Sequence, residues 1–76
     1  MSKEDTAMII VMRREATAKQ IADVVQHVEA RGLRVNISRG EERTIIGVIG
    51  DTDTLNDHEI ETMAGVSQVV RIRKDD

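Results

Sequence analysis

The stretch of this 76-residue chain with the most potential for chemistry is Ser38–Asp51, which reads SRGEERTIIGVIGD. Hydroxyl, guanidinium and carboxylate groups surround Gly40, and an apolar run containing Gly47 and Gly50 follows. Such a stretch can cradle a phosphate, form a catalytic loop or turn a β-hairpin. Its glycine spacing lacks the Gly-Lys-Ser/Thr ending of a phosphate-binding P-loop. We therefore predict a hairpin whose tight turn holds Gly40 at a positive φ angle.

The polar residues of this hairpin are candidate ligand contacts. Ser38, Arg39, Arg43 and Thr44 are expected to converge at one end of an apolar sheet face. A polar rim beside an apolar floor is typical of small-molecule pockets. The alternative is a plain charged hairpin, in which these arginines pair with the two glutamates of the turn.

The other candidate chemical groups favour no enzyme. The chain has no cysteine, so it offers neither a thiolate nor a cysteine metal site. His27 lies beside an apolar helical stripe and is interpreted as a boundary or surface residue, and His58 lies among acidic residues on a solvated face, so neither is expected to be a ligand. No nucleophile–base pair stands out, and we expect no metal and no cofactor. An anion site built from Arg13, Arg14 and Arg43 is a minor alternative.

Composition excludes two classes of partner. Fourteen acidic residues against 11 basic ones give a net charge of −3, and no aromatic residue is present to stack on bases. Nucleic acid is therefore not an expected partner. No run of about 18 apolar residues could span a membrane, and the polar start is unlike a signal peptide. We expect a cytoplasmic protein that contacts no membrane.

Hydrophobic periodicity predicts the element order β-α-β-β-α-β. A continuous apolar run marks the first strand over Ala7–Met12, and a Thr17–Gln20 capping box opens a helix that runs to Arg31. Residues 1–6 are interpreted as a polar tail, 7–74 as a single domain, and 75–76 as a second tail. This order is typical of the α+β ferredoxin-like fold, with an antiparallel sheet of strand order 4-1-3-2 and both helices on one face.

One sheet face is then left without helices. The two central strands are apolar at both parities, so aliphatic side chains must point to that bare face. We expect an interface there, with Ile45, Ile49 and Val69 in its middle and Arg71 on its polar rim. The complementary set, predicted to be buried on the helix side, comprises Val24, Val28, Val35, Ile37, Val70 and Ile72.

Three segments, MIIVMRREATAKQI, ISRGEERTIIGVIGDT and GVSQVVRI, together resemble the N-terminal ferredoxin-like domain of the 3-deoxy-7-phosphoheptulonate (DAHP) synthase family. The resemblance covers about Ala7–Lys74. Its specific part is the central block S-R/K-G-x-E-R-T-x-I-G-x-I-G-D. The strand segments are weaker signals, because apolar strands recur by chance.

The resemblance implies a regulatory rather than a catalytic domain. In this family the small domain precedes a (β/α)8 barrel that condenses phosphoenolpyruvate with erythrose 4-phosphate at a divalent metal. The small domains pair between subunits, and tyrosine or phenylalanine binds where they pair and causes feedback inhibition. The implied partners are another copy of the chain, in a homo-oligomer, or a DAHP synthase catalytic barrel. An excised domain and a free-standing relative are both compatible with the sequence.

The resemblance also selects the site residues. Some members carry a histidine where this chain has Asn36, so the ligand's identity is left open. Asn36 and Ser38 are the favoured ligand contacts, Gly40 shapes the turn, and a ligand-free oligomerisation module is the alternative function. The full set of candidate ligand-binding residues is Asn36, Ser38, Arg39, Gly40, Arg43 and Thr44.

Overall fold

The computed structural model describes residues 6–50, 52 and 55–72, which form a ferredoxin-like βαββαβ unit. The sheet has four antiparallel strands in the order β2-β3-β1-β4, which confirms the predicted order 4-1-3-2. Most of the two predicted tails, residues 1–5 and 75–76, lies outside the described residues. The elements are β1 (Thr6–Met12), α1 (Ala18–Glu29), β2 (Arg34–Arg39), β3 (Thr44–Ile49), α2 (Asp57–Glu61) and β4 (Val66–Arg71).

The ends of α1 follow from local hydrogen bonds. The Gln20 backbone N–H donates to the Thr17 hydroxyl (3.1 Å) and the Thr17 N–H donates to the Gln20 side chain (3.0 Å), so the predicted capping box is present. The helix ends at Glu29, two residues before the predicted Arg31, because the chain tightens there into i→i+3 hydrogen bonds. Gly32 then takes a φ of 83° and turns the chain toward β2.

The core lies between the helices and one face of the sheet. Ile21, Val24 and Val28 are the buried residues of α1, and Ile60 is that of α2. Both helices contribute to the same cluster, which places them on one face as predicted. The sheet residues buried in this cluster are Met8, Ile10, Met12, Ile46, Val48 and Val66.

A β-bulge in β4 reverses the predicted orientation of that strand. Gln68 pairs with Val11 of β1, but the next pair along joins Val66 to Met12, so Ser67 is an extra residue. One extra residue shifts the alternation of side chains to the opposite faces. Val66 is consequently on the helix side before the bulge, and the odd-numbered residues are on that side after it.

The bulge makes three predictions for β4 wrong. Val69 packs against the core instead of joining the bare face. Val70 and Ile72, predicted to be buried, are 42% and 43% exposed. Val70 pairs with Ile9, whose side chain also points away from the helices.

Burial on the other sheet edge is also less than predicted. Val24 and Val28 are fully buried and Val35 packs against the core, as expected, but Ile37 is 43% exposed. Ile37 does point to the helix side, because it pairs with the buried Ile46. It lies on the edge strand β2, which has a neighbouring strand on one side alone, so it is less covered than a central residue.

Arg71 forms a clamp that sequence reasoning missed, since it was expected on the rim of the bare face. The bulge turns its side chain to the helix side, where Nε donates to both carboxylate oxygens of Asp57 at 2.8 and 2.9 Å. Nη1 donates to the Thr52 hydroxyl (3.1 Å), and Nη2 donates to the Thr52 and Leu55 carbonyls (3.1 and 3.2 Å). The clamp thus ties the connection between β3 and α2 to the end of β4.

Replacing Arg71 by lysine is expected to lower the free energy of unfolding by about 1–2 kcal/mol at neutral pH. Lysine keeps the charge but cannot reach Asp57, Thr52 and Leu55 together, so partly buried oxygens lose their donors. Urea unfolding measures the change. Arg34→Lys on the exposed edge strand is the matched control and should change stability by less than about 0.5 kcal/mol.

The Asp57 carboxylate should make stability depend on acid pH. The hydrogen bond from Arg71 lowers the pKa of Asp57 below its ordinary 3.8; desolvation opposes the shift and Coulombic attraction to Arg71 adds to it. A depressed folded-state pKa contributes stability that is present above about pH 4 and is lost as the pH falls through the folded value. Asp57→Asn should therefore be destabilised at neutral pH, by less than about 1 kcal/mol because the pair is exposed.

Urea unfolding of both proteins between about pH 7 and about pH 2 checks this dependence. The difference between wild type and Asp57→Asn should shrink toward the acid end. A difference that stays constant over the whole range would mean that the ion pair with Arg71 contributes nothing.

Candidate functional site

The sheet face away from the helices, called here the open face, is a grid of three cross-strand rows. The first row joins Ser38, Ile45 and Val11, and the second joins Asn36, Gly47 and Ile9. These two rows continue onto β4, at Gln68 and Val70 respectively. In the third row, Arg34 pairs with Ile49. The described residues of the open face are Ile9, Val11, Arg34, Asn36, Ser38, Ile45, Gly47, Ile49, Gln68, Val70 and Ile72.

The open face is apolar in the middle and polar along the β2 edge. In the middle of the face, Ile45 is 39% exposed and Val11 only 9%, whereas Val70 and Ile72 at the β4 edge are 42% and 43% exposed. Asn36 and Ser38 lie on the opposite edge strand, β2, where Ser38 pairs with Ile45, and within the described part of the chain neither side chain makes a hydrogen bond. The face therefore combines uncovered aliphatic surface with free hydrogen-bonding groups.

The structure separates the predicted ligand-binding residues. Asn36 and Ser38 lie together on the open face. Arg39 pairs with Thr44, and strand alternation directs both to the helix side of the sheet. The expected convergence of Ser38, Arg39, Arg43 and Thr44 is therefore wrong for Arg39 and Thr44, because neighbours in sequence point to opposite faces.

The hairpin turn differs from its predicted geometry. Positive φ values among the glycines fall at Gly32, Gly50 and Gly65, so Gly40 does not adopt the left-handed conformation that was expected. Its N–H donates to the Arg43 carbonyl at 2.9 Å, and a Cβ added to Gly40 would lie 3.0 Å from that oxygen. Glycine is thus suited to the turn by a close backbone approach.

The charges of the turn are not neutralised by one another. Within the fully described hairpin of residues 34–49, no ion pair within 4.0 Å joins Arg39 or Arg43 to Glu41 or Glu42. The expected cross-turn pairing is therefore absent. The exposed Arg43 guanidinium remains available to a ligand or partner that approaches the end of the sheet.

The remaining candidate groups form no second centre. His27 is half-buried, with Nε2 3.7 Å from a carboxylate oxygen of Glu59, so it lies where α1 meets α2. His58 lies in the first turn of α2, and Arg13 and Arg14 are exposed after β1. No group of three or more His, Cys, Asp or Glu residues suited to a metal occurs in the described ranges. Within those ranges, too, every helix is too short or too polar to cross a bilayer.

Together, the order of the elements and the topology of the sheet define a small ferredoxin-like domain. A family model, the DAHP synthase ferredoxin-like domain, matches residues 8–74. The chain belongs to that family, and the resemblance inferred from its sequence motifs is confirmed.

Comparisons with individual proteins support the same family assignment. The chain is 39% identical over 67 residues to phospho-2-dehydro-3-deoxyheptonate aldolase of Thermotoga maritima, which covers 88% of the chain. The crystal structure of a Thermotoga maritima protein of that name, also called DAHP synthase, superposes with a TM-score of 0.82 at 38% identity over 91% of the chain. In both comparisons the chain spans 20% of the relative's length.

Proposed function

We propose that this chain is a non-catalytic regulatory domain that pairs with a second copy through the open face and binds tyrosine or phenylalanine at the seam. Binding then inhibits a DAHP synthase barrel, the first enzyme of a cytoplasmic route to aromatic amino acids. The observation that carries the proposal is the open face itself, with aliphatic side chains in the middle and unpaired polar groups along one edge.

Pairing is supported by the energetics of the uncovered surface. Three aliphatic side chains of this face are about two-fifths exposed, and burying such surface yields roughly 25 cal/mol per Å². A chain of this size has a thin core, so a partner that covers the second face adds a large fraction of its stability. A second copy offers the same aliphatic surface and is a suitable cover.

Ligand binding is supported by the groups beside that surface. An aromatic amino acid has an apolar ring and two opposite charges. Asn36 and Ser38 supply donors and acceptors on the open face, and Arg43 at the end of the hairpin can pair with a carboxylate. The protein has no aromatic residue of its own to fill an apolar recess.

A regulatory role is supported by what surrounds the site. The described residues contain no group of three or more His, Cys, Asp or Glu residues that could hold a metal ion. The chain spans 20% of the length of the relatives named above, and these relatives carry the aldolase name. We infer that catalysis resides in a barrel and that this domain controls it.

The pairing is tested by placing a charge on the open face. Ile45→Lys should leave the fold intact and give monomers, because an unpaired ammonium in an apolar contact costs a few kcal/mol of association. The matched control is Ile37→Lys, since Ile37 is similarly exposed (43% against 39%) but points to the opposite face. Sedimentation at high micromolar concentration should show the wild type and Ile37→Lys associated and Ile45→Lys monomeric. A monomeric wild type would contradict self-association.

Ligand binding is tested by a chemical-shift titration with L-tyrosine, L-phenylalanine and L-leucine. The two aromatic amino acids should shift the amides of Asn36, Ser38 and Gly40, with an apparent Kd of roughly 0.1–10 mM, whereas leucine should not. Ser38→Ala should weaken binding by about 1 kcal/mol if its hydroxyl contacts the ligand. No response at several millimolar from a dimeric chain would reject the ligand and leave a ligand-free oligomerisation module.

A further inference from the structure

A buried nitrogen in the helical layer has no hydrogen-bond partner. Nε2 of His27 is shielded from solvent, and no described residue forms a hydrogen bond with it. The Glu59 carboxylate lies beside it, with Oε1 3.7 Å from Nε2, and the Glu59 side chain is 52% exposed. Both helices are fully described, and within them no other ion pair or side-chain hydrogen bond joins α1 to α2.

The protonation state of His27 determines what this nitrogen can do. A neutral imidazole has one N–H group. If Nδ1 carries the proton, the lone pair of Nε2 faces a carboxylate oxygen, and if Nε2 carries it, the contact with Glu59 is uncharged and long. The imidazolium has N–H groups on both nitrogens, so Nε2 becomes a charged donor opposite an anion. Because a buried polar atom without a partner is unfavourable, protonation satisfies Nε2 and creates an ion pair.

We infer that His27 is a proton-controlled latch between the two helices. When the imidazole is protonated, Nε2 donates to Glu59 and holds α2 against α1; when it is neutral, this attachment is lost. The inference does not rest on the proposed function. A helix of five residues is too short to be stable alone, so the position of α2 depends on its contacts. Asp57, its first residue, is bound by Arg71 at neutral pH, and the second attachment requires a proton.

The charged groups around His27 on its own helix act in both directions. Asp23 and Arg31 lie one helical turn before and one turn after it. Asp23 favours the imidazolium, but its carboxylate is shared with Lys19, whose Nζ lies 3.6 Å away. Arg31, just beyond the end of α1, opposes the positive charge. These effects offset one another, so Glu59 on the facing helix determines the sign.

The elements packed against α1 supply Glu59 as the charged neighbour of His27. On α2, His58 and Glu61 are exposed and form no ion pair within the described ranges. Asp57 is neutralised by Arg71, whose Nη2 lies 2.7 Å from Oδ1. The sheet side chains buried beneath the helices are apolar. The pH dependence of the latch should therefore follow from the one contact between His27 and Glu59.

The latch is tested by the pH dependence of urea unfolding in a His58→Gln background. The chain has two histidines, and a positive charge in the first turn of α2, where His58 lies, would oppose the effect. The latch is present at about pH 5.5, where histidine is mostly protonated, and is lost as the pH rises toward about pH 8. Over this range, acidification should raise the folded-to-unfolded ratio about two- to fivefold relative to the same protein carrying His27→Gln.

Two carboxamide variants provide the matched comparison. Glu59→Gln should abolish the effect of pH, because it removes the anion and keeps the shape of an exposed side chain. Glu61→Gln removes a carboxylate from the same helix that forms no ion pair in the described residues, and it should leave the effect unchanged. This comparison decides the matter even if His27→Gln fails to fold.

Hydrogen exchange places the effect on α2. The amide of Thr62 donates to the backbone carbonyl of residue 58 at 3.1 Å. Its protection, corrected for the intrinsic exchange rate at each pH, should rise by a similar factor on acidification and should not rise in Glu59→Gln. An equal pH dependence with and without Glu59, or greater stability at about pH 8 than at about pH 5.5, would overturn the inference.

Discussion

Two short helices cover one face of a sheet whose central strands are apolar on both faces, and the rest of the molecule depends on this imbalance. The covered face holds the core, in which Met8, Ile10, Ile46 and Val48 are fully buried. The other face is also rich in aliphatic residues, no described helix lies over it, and Ile45, Val70 and Ile72 are about two-fifths exposed there. Because the core of this chain is small, burying that surface would add a large fraction to the free energy of unfolding. This exposed aliphatic surface is the reason that the open face is the candidate site and that pairing with a second copy is proposed for it.

The fold could be predicted from the sequence wherever a local pattern determines the structure. The apolar run of β1, the capping box at Thr17 and the stripe of α1 each depend on neighbouring residues, and together they imply the topology through the handedness of the crossovers. The orientation of β4 could not be predicted in the same way. The strand VSQVVR has valines at both parities, so its sequence does not show which set is buried, and the bulge at Ser67 depends on pairing with β1. Because Ser67 is an extra residue, Val69 rather than Val70 points to the helix side. Arg71 points to the same side, where it bonds Asp57.

Part of the candidate site could be predicted from the sequence. Asn36 and Ser38 are two residues apart on a strand, so their shared face follows from the period of two. The same rule places Ser38 and Arg39 on opposite faces of the sheet. The prediction that they converge grouped them because they are adjacent in sequence, and so did not apply this rule. Gly40 illustrates a different limit, because a close approach to the Arg43 carbonyl leaves no pattern in the residues themselves. The Asp57–Arg71 pair, separated by 14 residues, likewise depends on tertiary contact.

Pairing and ligand binding would share one surface in the proposed function, and this has a thermodynamic consequence. If the ligand contacts both copies at the seam, its affinity for the paired state is higher than its affinity for the single domain. The ligand must then raise the affinity of the two copies for each other by the same factor. Weak affinity in an isolated domain is then compatible with effective control in a larger assembly, where neighbouring domains are held at high effective concentration. If the aliphatic residues of the open face favour association, as proposed, the ligand would have to add little free energy to shift the population of paired domains. A small core and an exposed aliphatic face lower the stability of a solitary domain. In the proposed function they would make the population of paired domains sensitive to a small metabolite.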